Sequence, residues 1–249
     1  MVEKFFLALD YETRLLAENA ATHAFDFIGR QYGKDFIKSK MGVKINQDLV
    51  TGFGARDDDK EYDDSLFSLL LEKQALGYQI FTDMKIAHGA DTGKRIIKRT
   101  KEFLPMDYVT VATDLGPQVL REYAQIGNEL GVKIIGFTKH TKTSPEDIQR
   151  DHNKSLTDVI YTRALMASEA GLDAAVMEAN MLKDERIAKL PIKKLVTGIR
   201  IDVQDAGTQK RVSSLEDVAN VKPFTDYAVI SSRYLSDNDL LKQVIDALI

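Results

Sequence analysis

The chain has 249 residues, no cysteine, a formal net charge of −4, and is 44% hydrophobic and 29% charged. Disulfides, thiolate metal sites and a cysteine nucleophile are thereby excluded, and no basic footprint is left for duplex nucleic acid or an anionic membrane. Roughly 250 residues is the usual size of one (β/α)8 barrel, and a chain of that length buries enough surface to need no covalent staples.

The opening run Phe5 to Leu9 is apolar, rich in aromatics and ended by Asp10, which predicts a buried strand. It is too short for a signal peptide, and no apolar run approaches the roughly 20 residues of a membrane span. A soluble cytoplasmic protein is the expectation. Helical spacing of Leu15, Leu16, Ala20, Ala24, Phe27 and Ile28 predicts a helix over 12–31, closed by Gly33. Further strands are expected at 35–41, 78–84, 108–112, 132–138, 174–177, 194–197 and 227–231. Helices are expected at 65–76, 92–103, 116–130, 156–170, 181–188, 215–221 and 238–248. Gly77, Gly131 and Gly171 each stand just beyond a helix and just before a strand, the usual place for a left-handed stop. The acidic stretch from Asp57 to Asp64 reads as a solvated loop whose last residue caps the next helix.

Strands alternating with helices imply parallel βαβ units, and eight of them in this length favour a closed (β/α)8 barrel, one domain over 1–249. An open dinucleotide-binding sheet is the competitor, but no G-x-G-x-x-G follows the first strand.

In such a barrel function gathers at the C-terminal strand ends. Asp10 closes the first strand, Lys40 lies near the end of the second, Asp83 and Lys85 close the third, and Arg200 and Arg233 follow the seventh and eighth. Asp83 and Lys85 are two apart and share a strand face. An Asp-x-Lys alone is more often an ordinary ion pair at a strand end. With Asp10 and Lys40 on neighbouring strands, two lysines alternate with two carboxylates, and an ammonium is held where a carbanion needs a proton. Phosphate in these barrels commonly sits on the loops after the seventh and eighth strands. There Gly198 lets the backbone approach, Gln209 offers an amide, and Arg200 or Arg233 offers a fork. Of Lys210 and Arg211, at least one is expected to be merely solvated.

Taken in order, Phe6-Leu7-Ala8-Leu9-Asp10, Lys40-Met41-Gly42, the run from Asp83-Met84-Lys85 through His88-Gly89-Ala90-Asp91 to Thr92, Gly198-Ile199-Arg200, Gln209-Lys210-Arg211 and Ser232-Arg233 resemble the orotidine 5'-phosphate decarboxylases, bacterial forms above all. The resemblance implies a cofactor-free, metal-free homodimer with shared active sites that converts orotidine monophosphate to uridine monophosphate and CO2. It implies that Asp10 and Thr92 contact the ribose, Thr92 from the neighbouring subunit. Lys40 and Asp83 belong to the charged array, Lys85 protonates C6, Thr138 lies near the pyrimidine, and Gln209 and Arg233 hold phosphate.

The chain departs from the family's Asp-x-Lys-x-x-Asp motif by placing His88 at the second Asp. A histidine there attracts the substrate carboxylate where an aspartate repels it, and Asp91 is the nearest acid to substitute. The Pro that commonly precedes Gly-Ile-Arg is absent, Ser232 stands for a Gly, and the loop over 46–64 is long. The same motif also resembles 3-keto-gulonate-phosphate decarboxylase and hexulose-phosphate synthase, which act through a Mg-bound enediolate. Those enzymes use the missing Asp at the metal and lack the Gln-Lys-Arg loop. A non-catalytic nucleotide-binding relative is the third reading.

Overall fold

A computed structural model describes residues 2–51, 65–140, 143–201 and 212–249. The strands are β1 (Lys4–Ala8), β2 (Met41–Asn46), β3 (Gln79–Ile86), β4 (Tyr108–Ala112), β5 (Lys133–Phe137), β6 (Ala174–Glu178), β7 (Lys193–Thr197), β8 (Ile199–Arg200), β9 (Ser213–Ser214) and β10 (Tyr227–Ile230). Eight of them, all parallel, close into a barrel in the order β1, β10, β7, β6, β5, β4, β3, β2, while β8 and β9 pair as a small separate sheet. The helices are α1 (Arg14–Lys40), α2 (Gln47–Thr51), α3 (Ser65–Ala75), α4 (Ala90–Phe103), α5 (Pro117–Leu130), α6 (Pro145–His152), α7 (Leu156–Glu169), α8 (Glu185–Ala188), α9 (Leu215–Val221) and α10 (Asn238–Leu248). The (β/α)8 expectation is met.

Alternation along the strands sorts the side chains. Phe6, Phe81, Tyr108 and Tyr227 point inward and fill the lower barrel, with Phe6 edge-on to Phe81 at 5.2 Å and to Tyr108 at 5.1 Å. Gly42 on the neighbouring strand makes room for that ring, since a Cβ there would lie 2.6 Å from Phe6. The outward faces of the strands, such as Phe5, Leu7, Val43 and Ile45, pack against the helices. At the N-terminal end one device recurs. Asp107, Asp173 and Asp226 accept from the backbone N–H of Ile80, Ile134 and Lys194 at 2.7, 2.8 and 2.8 Å. Their own amides donate back to the carbonyls of those residues. Carboxylates at this end therefore tie strands together.

Three expectations about elements need correction. Residues 35–41 are not the second strand. Gly33 (φ 82°, ψ 170°) breaks α1, but the chain returns to helix through Lys40, and the strand follows at Met41–Asn46. Phe36 stacks on Tyr32 and Phe5, and Ile37 is buried, so this last stretch of helix has its own apolar face. The single helix expected over 181–188 is instead a 3-10 stretch, Ala179–Lys183, then α8, with Asp184 capping the second piece through the N–H of Arg186. Helices α2 and α6 and the β8–β9 pair were not expected; α6 has a capping box at Ser144 and ends on Asn153 in the left-handed region. The acidic stretch Asp57 to Asp64 lies outside the described residues.

Candidate active site

A cavity of about 530 Å³ opens at the C-terminal mouth of the barrel, and charged side chains from β1, β2 and β3 line one wall. Asp10 follows β1, Lys44 and Asn46 lie on β2, and Asp83 and Lys85 lie on β3. Period-two alternation turns Lys44 and Asn46 inward with Gly42, while Val43 and Ile45 face the helices.

The charges form an alternating chain. Lys44 Nζ donates to Asp10 Oδ1 at 2.7 Å and stands 3.6 Å from Asp83 Oδ2. Asp83 Oδ2 in turn accepts from Lys85 Nζ at 2.6 Å. Asn46 Oδ1 takes a further Lys44 proton at 2.6 Å, and Thr110 on β4 donates to Asp83 Oδ1 at 2.8 Å. The middle is buried, with side-chain exposures of 7% for Lys44 and 13% for Asp83, while the ends open to the cavity, with 33% for Lys85 and 43% for Asp10. Lys85 Nζ also lies 5.2 Å from the centroid of the Phe137 ring. Its φ is +48°, in a region where non-glycine residues are uncommon and strained.

Burial alone would raise the Asp83 carboxyl, but the Lys44 and Lys85 ammonium groups beside it, with hydrogen bonds from Lys85 and Thr110, outweigh burial and hold it below its ordinary value. Burial alone would lower Lys44, yet Asp10 and Asp83 outweigh that and raise it. Asp83, with its depressed folded value, contributes stability that is present above the ordinary 3.8 and is lost as pH falls through the folded value. Lys44 is the mirror image: its contribution is present below the ordinary 10.5 and lost as pH rises through the raised value. Denaturant midpoints of wild type and Asp83→Asn should therefore stay apart across neutral pH and converge as pH falls below the carboxylate range. A gap that persists in strong acid would contradict the pairing. Buried ion pairs are seldom better for stability than apolar residues of the same volume, so a four-membered array at a barrel mouth argues for chemistry.

The ends of β7 and β10, next to β1 in the barrel, carry the groups expected to meet phosphate. Gly198 (φ +74°), buried Arg200 and exposed Arg233 line the same cavity. Gly198 O accepts from Ser213 N at 2.9 Å, which joins β9 to the end of β7. Arg200 Nη1 donates to Ile199 O at 2.8 Å, and Tyr11 donates to Ser232 O at 2.9 Å, anchoring the turn that presents Arg233. Gln209, Lys210 and Arg211 lie outside the described residues.

Two expected residues are elsewhere. Lys40 ends α1 at the base of the barrel, where Nζ donates to Val2 O at 2.7 Å; the array's lysine is Lys44. Misplacing β2 towards the N-terminus produced that error. Thr138 is buried with its hydroxyl donated to Val176 O at 2.6 Å, and its carbonyl accepts from Arg163 Nη1 at 2.5 Å. It ties β5 to β6, while its neighbours Phe137 and Lys139 reach the cavity.

His88 is exposed and Thr92 half-buried, and neither lines the mouth cavity. His88 O accepts from Tyr123 OH at 2.9 Å, and Thr92 Oγ1 accepts from Arg95 Nη2 at 2.9 Å. Asp91 is exposed in the first turn of α4. His88 instead borders an outer groove of about 920 Å³ with Leu71, Arg99 and Phe103. That groove is larger and more apolar than the mouth cavity, but among the described residues no carboxylate lines it, and it is the weaker candidate for this chemistry.

The sequence reading missed Lys44, Asn46, Thr110, Lys139, His140 and Glu178. A lysine and an asparagine at inward positions of Gly42-Val43-Lys44-Ile45-Asn46 are a legible signal, as is Glu178 closing an apolar strand in the way Asp10 does. Thr110 carries no such signal, because threonine is ordinary in strands.

A family model described as "Orotidine 5'-phosphate decarboxylase / HUMPS family" matches residues 3–237. The orotidine 5'-phosphate decarboxylase of Malacoplasma penetrans is 28% identical over 218 residues, which cover 85% of this chain and 87% of that one. That of Fusobacterium nucleatum is 29% identical over 221 residues, 86% of this chain and 82% of the relative. Among solved structures, the orotidine 5'-monophosphate decarboxylase of Methanocaldococcus jannaschii, complexed with inhibitor BMP, superposes with a TM-score of 0.67 at 18% identity, covering 100% of this chain and 99% of its own. An uncharacterized conserved protein from Geobacillus kaustophilus gives 0.65 at 19% identity, covering 98% and 100%. At such identities the structural likeness speaks for the fold.

Proposed function

The chain belongs to the orotidine 5'-phosphate decarboxylase / HUMPS family and is a carboxy-lyase; from that premise we propose that it converts orotidine monophosphate to uridine monophosphate and CO2 without a metal or cofactor. The observation that supports this most is the Asp10–Lys44–Asp83–Lys85 chain at the mouth cavity. The C6–carboxylate bond of the substrate breaks, CO2 leaves, and the electron pair stays on C6. Lys85 delivers the proton to C6 and is reprotonated from solvent. Asp83 keeps Lys85 charged and in place, and Lys44 offsets the negative charge of both acids, so the array is neutral around a reacting carbon that is not.

The donor set favours this over a divalent-metal reaction, because Asp10 and Asp83 both face lysine ammonium groups. Arg233 and the Gly198 backbone, at the ends of β10 and β7, hold the phosphate; Gln209, outside the described residues, is the further expected contact. Arg233→Ala is expected to weaken uridine monophosphate binding by about 1.5–3 kcal/mol, the worth of a charge-assisted hydrogen bond. Isothermal titration reads it, and unchanged affinity would remove Arg233 from the site.

His88 and Thr92 act on the substrate of a second copy in this reading, since each stands outside the cavity of its own chain. The active form is then a homodimer with shared sites, and the lack of cysteine suits a cytoplasmic enzyme. The test is CO2 release from orotidine monophosphate with and without EDTA. Turnover that survives EDTA supports the proposal; turnover that collapses with EDTA and returns with Mg favours the sugar-phosphate lyases. Tight nucleotide binding with no CO2 would mark a non-catalytic relative.

A further inference from the structure

Between Thr82 and Ile86 the β3–β4 ladder slips. Thr82 pairs with Val109 and Ile86 with Val111, so residues 83 to 85 of β3 face Thr110 alone. Bulges of this kind re-aim side chains beside active sites. What fills the gap in the ladder is the Thr110 side chain. Its hydroxyl accepts the Lys85 backbone N–H at 2.8 Å and donates its own proton to Asp83 Oδ1 at 2.8 Å. Thr110 is fully buried, and the residue it holds by the amide is the one with φ at +48°.

We infer that Thr110 is a positioning residue for the reaction: one hydroxyl locks the backbone of the proton donor in a strained conformation and orients the carboxylate that charges it. The inference rests on the decarboxylase reading for its kinetic consequence. Without the hydroxyl, the Lys85 amide loses its acceptor, Asp83 Oδ1 loses a donor, and the strain at Lys85 has nothing to hold it. The bulge then relaxes, and Lys85 Nζ moves away from Asp83 and the cavity centre. Substrate binding elsewhere in the cavity is untouched, so the effect falls on turnover.

The test compares Thr110→Val, which keeps the shape and removes the hydroxyl, with Thr110→Ser, which keeps the hydroxyl. For CO2 release from orotidine monophosphate, Thr110→Val should lose about 10- to 100-fold in kcat with KM within about threefold, since misplacement by an ångström costs that much. Thr110→Ser should stay close to wild type. A Thr110→Val enzyme with normal kcat, or a Thr110→Ser enzyme as impaired as Thr110→Val, overturns the inference. If Thr110→Val fails to fold, Thr110→Ala removes the same hydroxyl with space to spare and is judged by the same rule. If wild type releases no CO2, the decarboxylase reading has failed, and a crystal structure of the hydroxyl-free variant decides the matter. Lys85 leaving the left-handed region and parting from Asp83 supports the inference; retention of both overturns it.

Discussion

Lys85→Ala is expected to lower kcat for CO2 release by about 10²- to 10⁴-fold, the span that a positioned general acid contributes, with a smaller change in KM. The reason lies in the geometry. Lys85 Nζ is held 2.6 Å from Asp83 and one-third exposed to the cavity, so it is the array's ammonium with access to a substrate carbon. Lys44 is more deeply buried, with Asp10 and Asn46 taking its protons. The substitution also removes a positive charge beside Asp83, whose carboxyl then keeps, among the described residues, Lys44 and Thr110. Single-turnover quench experiments separate chemistry from release, and the loss should appear in the chemical step. Wild-type turnover by Lys85→Ala would remove the residue from the proton transfer.

Lys44→Ala should cost both stability and turnover, where Lys40→Ala should cost little of either. Lys44 neutralises one exposed and one buried carboxylate. Removing one partner of a buried pair typically costs about 3–5 kcal/mol, and because Asp83 retains Lys85 the lower end is expected here. In a chain of this size that lowers Tm by about 6–12 °C. Turnover falls as well, because Asp10 and Asp83 are left as an unbalanced pair at the substrate. Lys40 by contrast donates to the Val2 carbonyl at the other end of the barrel. Thermal melts and initial rates of the two variants, made side by side, check the assignment; a harmless Lys44→Ala with a damaging Lys40→Ala would reverse it.

That pair of lysines also shows how far the sequence can be read. Alternation of apolar runs with helical spacing disclosed the barrel, because parallel strands buried on both faces are short and apolar. Asp83 and Lys85 were legible for the same reason: a charge that ends such a run stands at the mouth. β2 was set too early despite its period-two alternation, because its inward face is Gly42, Lys44 and Asn46, and so polar a face was passed over for the apolar Phe36, Ile37 and Met41. Placing the strand too early carried the lysine with it. Thr138 failed by one residue of register, which in a strand exchanges the cavity for the helix side. Thr110 was beyond reach, since its role comes from a bulge on the neighbouring strand. The roles proposed for His88 and Thr92 require a second copy of the chain, which one chain's sequence does not state.

The most direct measurement is proton NMR of the nucleotide product formed from orotidine monophosphate in D2O. The proposed chemistry puts a solvent-derived proton on C6 through Lys85. Wild-type protein should therefore yield uridine monophosphate lacking the C6 proton signal, with the C5 doublet collapsed to a singlet, and Lys85→Ala should yield almost none in the same time. No uridine monophosphate from wild type, or equal amounts from both proteins, would contradict the account.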